Sequence, residues 1–380
     1  MVDVYDGRGQ TAAKHFILRR YLQALAFKLL HGGYSALSYV DGFSGPWESK
    51  TADHSDTSFM IAIGVLKDAQ KKVGEATGIV PEVRCFFAEE KASAYAQLEA
   101  AVRRHHDPAG RFFIGTHYGK FEDAVDDIMD MVAGSFALTF IDPTGWTGYE
   151  FPKIARLLRH QPGEVLLNYM QPFIDRFTHW DDPINSATFD GILGGPGWKE
   201  RMDKSLPRSE AALALFTEQF RRSGPFRYVV STPIERDEGD ATFRIMYGTR
   251  SDRGLEAYRD AEHDARRNQE ERRSAARATG PMPDMFAGEQ LTTRTEIETA
   301  AACKRARDVL LAQLHNLGSS LTFGALWPAM LAAEPIRKTN AKDICVALAE
   351  EGIILPSWKD RGARVRKPDD GDSIILVATS

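Results

Sequence analysis

Between residues 11 and 260 the chain alternates short runs of β-branched and aromatic residues with longer segments of helical period, and this constrains the fold more than any other feature. Such alternation is the pattern of βα units around a mostly parallel sheet, because parallel strands need a crossover connection, usually a helix. Strands are expected at Ala36–Val40, Val83–Ala88, Arg111–Ile114, Phe136–Ile141, Glu164–Asn168, Tyr228–Thr232 and Phe243–Thr249, with helices at Phe59–Lys72, Ala92–His105, Lys120–Val132 and Phe151–Arg159. A longer helix, Ala12–Leu30, precedes the first strand; Leu18, Leu22, Leu25 and Leu29 recur in it at helical spacing. The expected fold is α/β, a Rossmann-like sheet with flanking helices.

A chain of 380 residues exceeds one ordinary core, so a second domain is expected. The segment Ala261–Ala276, dense in Glu and Arg, reads as a solvated helix, and Thr279-Gly280-Pro281-Met282-Pro283 as a turn-rich linker. Beyond it come helical patterns at Glu296–Leu314, Phe323–Leu331 and Ala341–Glu351. Two extended stretches follow, Ala363–Arg366 and Ser373–Ala378, joined by a Pro-Asp-Asp-Gly turn. Three helices and a hairpin in so short a segment form a winged-helix pattern. The expected division is a Rossmann-like domain over 1–278, a linker over 279–291 and a small C-terminal winged-helix domain over 292–380.

Composition narrows the function. Apolar residues at 43% and charged residues at 27% are those of a soluble globular chain, and no apolar run approaches the ~20 residues that span a bilayer. The N-terminus lacks the basic start and apolar stretch of a secretory signal, so the expected location is cytoplasmic, with no membrane partner. Cys85, Cys303 and Cys345 are scattered without C-x-x-C spacing, which suggests neither a disulfide framework nor a metal cage. With a formal net charge of −5, nucleic-acid binding requires a local basic patch.

The residues that bear chemistry stand at the strand ends. Tyr39-Val40-Asp41-Gly42-Phe43-Ser44-Gly45-Pro46 carries an apolar strand into an acid and a glycine turn, but lacks the G-x-G-x-x-G spacing that seats a pyrophosphate. S-adenosylmethionine has no phosphate and carries positive charge at its amino group and sulfonium, so an acid beside a glycine turn suits it; a plain tight βα turn is the alternative. Glu89, ending the next strand, is placed for the two hydroxyls of a ribose, or else is a solvated acid at a helix start. Gly119-Lys120-Phe121 follows the third strand, where an adenine ring would lie, though Phe121 reads equally as core. Asp142-Pro143-Thr144-Gly145-Trp146 follows the fourth. There Asp142 would accept a hydrogen bond from an amine, orient its lone pair and take its proton, and Trp146 would stack on a base; a simple Asp-Pro turn is the alternative.

In this order the motifs resemble the three-Cys-motif partner (TcmP) family. The likeness rests on Lys14 with Tyr21-Leu22, Tyr39–Gly45, Glu89, Gly119-Lys120-Phe121 and Phe140–Trp146. Asn168-Tyr169-Met170, Asp175-Arg176-Phe177 and Tyr247-Gly248-Thr249 with Gly254 extend it. The resemblance implies a class I methyltransferase-like domain with a winged-helix tail, S-adenosylmethionine as cofactor, and a radical-SAM-like three-Cys-motif protein as partner. A more distant likeness, to RlmJ-type ribosomal RNA adenine methyltransferases, implies that Lys14 and His15 border the cofactor, Glu89 holds its ribose, and Asp142 with Pro143 is catalytic. Where those enzymes carry Gly-Ser-Pro, this chain has Asp56-Thr57-Ser58, which brings Ser58 into the expected cofactor set.

In the tail, Arg337, Lys338 and Lys342 start the third helix and Arg361, Arg364, Arg366 and Lys367 lead into the wing, a candidate phosphate-contacting cluster for DNA or RNA. Two functions remain open: a nucleic-acid base methyltransferase guided by its tail, and a non-catalytic partner with a vestigial pocket. A nuclease built on Asp41, Glu89 and Asp142 is disfavoured, since no D/E-x-K strand accompanies them; no metal is expected.

Overall fold

The computed structural model describes residues 5, 8–45, 49–171, 183–235, 242–279, 293–362 and 364–377. The expected linker from 280 onward, Pro46 and Asp175-Arg176-Phe177 lie outside these. Backbone contacts divide the chain into two compact units, Met1–Arg250 and Ser251–Ser380.

The first unit runs α1 (Gly9–His31), β1 (Ala36–Asp41), α2 (Ser58–Thr77), β2 (Glu82–Glu89), α3 (Ala92–Arg103), β3 (Phe112–Tyr118), α4 (Val125–Val132), β4 (Phe136–Ile141), α5 (Phe151–Leu158) and β5 (Gly163–Tyr169). It continues with α6 (Pro183–Leu193), α7 (Trp198–Arg201), α8 (Arg208–Ser223), β6 (Tyr228–Glu235) and β7 (Thr242–Thr249). The seven strands form one sheet in the order β3-β2-β1-β4-β5-β7-β6. β1 to β5 pair in parallel, and β7 runs antiparallel to both β5 and β6. This is the expected mixed α/β architecture, a mostly parallel sheet flanked by helices.

Every residue of β1 and β4 is buried, which explains their continuous apolar reading: strands covered on both faces do not alternate. The sheet's two faces appear side by side in Phe86 and Phe87. Phe86 joins Val40, Ile141, Leu167 and the inward residues of α4, α5 and α8 in one core, whereas Phe87 packs on Tyr39 and on Phe59 of α2. Helix α2 starts where Thr57 accepts the Met60 amide and stops at Gly78, whose φ of +73° is the left-handed cap that glycine adopts without strain.

Two clusters brace this unit away from the strand tips. Glu164, buried near the start of β5, accepts Tyr21 Oη from α1 and Thr249 Oγ1 (2.7 Å) from β7, and Tyr21 and Tyr247 share a hydroxyl contact of 2.6 Å. Burial pushes the Glu164 carboxyl above its ordinary range. Arg250 donates to the carbonyls of Leu158, His160, Gly163 and Gly224, groups that loop ends would otherwise leave unpaired.

The second unit contains α9 (Asp252–Thr279), α10 (Arg294–Leu317), β8 (Ser320–Thr322), α11 (Phe323–Ala333), α12 (Lys338–Glu350), β9 (Ile354–Pro356) and β10 (Ser373–Leu376). The sheet order is β8-β10-β9, antiparallel throughout. Two expectations are corrected here. The charged helix belongs to this unit and begins at Asp252: Leu255 and Tyr258 are fully buried, and Arg259 donates to the Leu331 carbonyl of α11 while pairing with Glu262. And β10 takes Ile354–Pro356 as its hairpin partner instead of 364–366, because Ile354 supplies a buried side chain whereas Arg364 and Arg366 are exposed; Ala363 and Ala378 of the expected strands lie outside the described residues. Among the described residues no helix is long and apolar enough to cross a membrane.

Candidate functional site

The sheet winds outward in opposite directions from β1 and β4, which are neighbours. A doubly wound sheet leaves a crevice at that switch point, outside the carboxyl ends of its strands, and ligands of open α/β sheets bind there. Asp41 ends β1, Glu89 ends β2, Asp142 follows β4, and Asn168 lies at the end of β5.

Asp41 is fully buried and organises the turn. Its Oδ1 accepts the Phe43 amide (3.1 Å) and its Oδ2 accepts Ser58 Oγ (2.7 Å), from the first residue of α2. Burial raises its pKa to about 6 against the lowering effect of these bonds. The expectation that Asp41 presents its carboxylate to a ligand is therefore corrected: both oxygens hold protein donors, and the acid shapes the pocket. Gly42 donates its amide to the Phe140 carbonyl (3.1 Å), and a Cβ there would meet the Phe121 ring at 2.6 Å. Ser44 donates its hydroxyl to the Asp41 carbonyl (2.9 Å) and its amide to the Ala88 carbonyl (2.9 Å), tying the turn to β2 ahead of Gly45. Phe43 packs on Phe121, 5.8 Å between centroids.

Glu89, only 3% exposed, accepts the Lys91 amide at Oε1 (2.7 Å), and burial pushes its carboxyl above the ordinary range. Gly119 donates to the Glu89 carbonyl (3.0 Å), joining the tips of β2 and β3, and its φ of +151° suits glycine. Lys120 is exposed, while Phe121 is core at 2% exposure; the reading of Phe121 as ligand-facing gives way to packing under Gly42. On α1, His15 is buried against the Tyr5 hydroxyl (3.1 Å). Burial, with Lys14 beside it, lowers its pKa to about 3, so its ring is neutral.

The sharpest contact in the crevice joins α1 to β4. Lys14 Nζ lies 2.9 and 2.7 Å from the two oxygens of Asp142. Asn168 Nδ2 donates to Asp142 Oδ1 as well (2.7 Å), and the Asn168 Oδ1 atom is left buried without a hydrogen bond. In the sequence Asn168 enters only through the family likeness; its own signal is a polar residue closing the buried run Val165–Leu167. Pro143 is buried. One face of Trp146 stacks on Phe189, 5.4 Å between centroids and 20° between planes, and Nε1 donates to Thr188 (3.1 Å). At the position of the expected Gly-Ser-Pro, Asp56 binds Arg8, Ser49, Thr51 and the Lys50 amide. Burial opposes its ionisation, yet these donors hold it well below the ordinary carboxylate range.

The basic cluster of the tail is largely paired within itself. Lys338 binds Asp370 (2.9 Å) over the Trp327 ring, Lys342 binds Asp369 (2.9 Å), Arg361 binds Asp369 and Asp372, and Lys367 binds Asp343. Arg337, Arg364 and Arg366 form no ion pair among the described residues. Of the seven expected cations, Lys338, Lys342 and Arg361 are thus engaged by the acidic turn 369–372 and Lys367 by Asp343 of α12.

No protein-family model and no curated protein matches the chain. Among solved structures it is similar to protein LPL1258 from Legionella pneumophila, of the DUF519 family. The two are 12% identical over 64% of this chain and 86% of that one, with a TM-score of 0.34.

Proposed function

We propose that the first unit is a class I methyltransferase that binds S-adenosylmethionine at the β1/β4 switch point and methylates an amine, the exocyclic amine of a nucleic-acid base being the favoured acceptor class. The observation that carries this reading is the placement of Glu89 and Asp142 on the carboxyl edge, beside a glycine turn that Asp41 holds in shape and that lacks pyrophosphate spacing. The strand order, with a reversed β7 between β5 and β6 on a mostly parallel Rossmann-like sheet, is compatible with this reading.

The donor set fits the cofactor. Glu89 has an oxygen without a side-chain partner for ribose hydroxyls, and Lys14 supplies the charge opposite to a carboxylate. When bound, the cofactor supplies an electrophilic methyl group. Asp142 accepts a hydrogen bond from the acceptor amine, directs its lone pair and takes the proton it sheds, and Asn168 fixes the orientation of that carboxylate.

For the second unit we propose a winged helix, on its order from α10 onward of helix, strand, helix, helix, strand, strand. Nucleic-acid contact would then fall to Arg337, Arg364 and Arg366. The internal pairing of the other four cations favours a second role, docking of a protein such as the radical-SAM-like partner.

Calorimetry with S-adenosylhomocysteine tests the first reading. One equivalent is expected to bind, about tenfold more weakly after Glu89→Ala, the loss expected of a hydrogen bond to a charged group. Methyl transfer to DNA or RNA should vanish in Asp142→Ala with binding retained. A folded chain that binds no S-adenosylhomocysteine sinks the proposal.

A further inference from the structure

The acceptor side of the crevice is closed from within. The Lys14 ammonium takes both oxygens of Asp142, the side chains being only 16% and 17% exposed, and Asn168 takes one of those oxygens again. An amine arriving there meets a neutralised carboxylate with an ammonium beside it. On the same side chain that donates to Asp142, Asn168 Oδ1 is buried and unbonded. A buried carbonyl oxygen without a donor is costly, so this side chain is not fully satisfied while Lys14 holds Asp142.

Lys14 also has a second anion to serve. The other cation at this end of α1, Arg8, is bound to Asp56 at 2.8 Å, and the neighbouring His15 is neutral. Lys14 is therefore the α1 cation suited to a ligand carboxylate. We propose that Lys14 is a gate on Asp142, opened when the carboxylate of the bound cofactor draws its ammonium away, so that cofactor binding precedes and unmasks acceptor binding. This rests on the cofactor reading given above.

The gate makes a prediction opposite to that of a structural ion pair. If Asp142 competes with the ligand for Lys14, removing Asp142 tightens the ligand. The test is calorimetry with S-adenosylhomocysteine and with 5′-methylthioadenosine, which lacks the amino-acid end, on the full chain and its variants. Asp142→Asn should tighten S-adenosylhomocysteine about threefold to tenfold, the range of a partly screened charge pair. Lys14→Met should weaken it by a similar factor, and in the Lys14→Met background Asp142→Asn should have no effect. 5′-Methylthioadenosine should be indifferent to all three. Asp142→Ser serves alongside Asp142→Asn, with thermal melts confirming that each variant is folded. Unchanged or weaker S-adenosylhomocysteine binding in both folded Asp142 variants overturns the gate while leaving the cofactor reading intact. Absence of binding by the wild-type chain overturns both.

Discussion

Asp41 shows how a residue's type can be legible while its task is not. An acid after an apolar strand and before Gly42 is visible in the sequence, but its carboxylate is claimed by Ser58, 17 positions on, and by the Phe43 amide. Gly42 was likewise legible as a tight turn, but not as the glycine that lets Phe121 close underneath. A testable consequence follows from the Asp41 pKa of about 6, raised by burial from 3.8. The folded state holds this proton more tightly than the unfolded chain, so stability is greatest below the unfolded value and falls as pH rises through the folded one. Asp41 is fully buried, so the shift corresponds to about 3 kcal/mol at most. Urea denaturation of wild type and Asp41→Asn at pH 4 and pH 7 should show a pH-dependent loss present in wild type and reduced by roughly that amount in the variant; equal slopes would refute it.

Among elements, those buried on both faces were the easiest to foresee, and β1, β4 and β5 agree with their apolar runs to within a residue. β8 and β9, three residues each, are too short for alternation to register. Helix α8 was overlooked although Ala211, Leu215, Phe216 and Phe220 lie on its buried face, since charged and polar residues interrupt them in the linear chain. For α9 the charge run suggested a solvated surface; what decides its place is the buried pair of Arg259 and Glu262. Arg259→Met, which removes the guanidinium and leaves Glu262 buried, should destabilise the second unit by about 3–5 kcal/mol. Combining it with Glu262→Leu should recover much of that loss in thermal unfolding, and a double variant no better than the single would count against the account.

At the scale of the whole molecule, the contact boundary at Arg250/Ser251 differs from one drawn along composition, because composition marks a linker and contacts mark a core. A fragment starting at Ser251 should therefore fold cooperatively by circular dichroism, with sharp dispersed amide resonances. A fragment starting at Thr293 loses Leu255, Tyr258 and Arg259 and should melt broadly and lower. If the shorter piece matches the longer, α9 is dispensable.

The Glu164 cluster has a kinetic meaning for the crevice at the other end of the strands. Tyr21 stands seven residues beyond Lys14 on the same helix, roughly two turns along, and is bound to Glu164 and Tyr247 in the interior. Helix α1 is thus anchored where it meets the sheet and cannot slide without breaking buried hydrogen bonds. In the gate proposed above, Lys14 would move by rotation about its own side-chain bonds while the helix stays fixed. A helix shift, by contrast, is a collective motion of microseconds to milliseconds. The proposed exchange of charge partners would then need no change in the shape of the crevice.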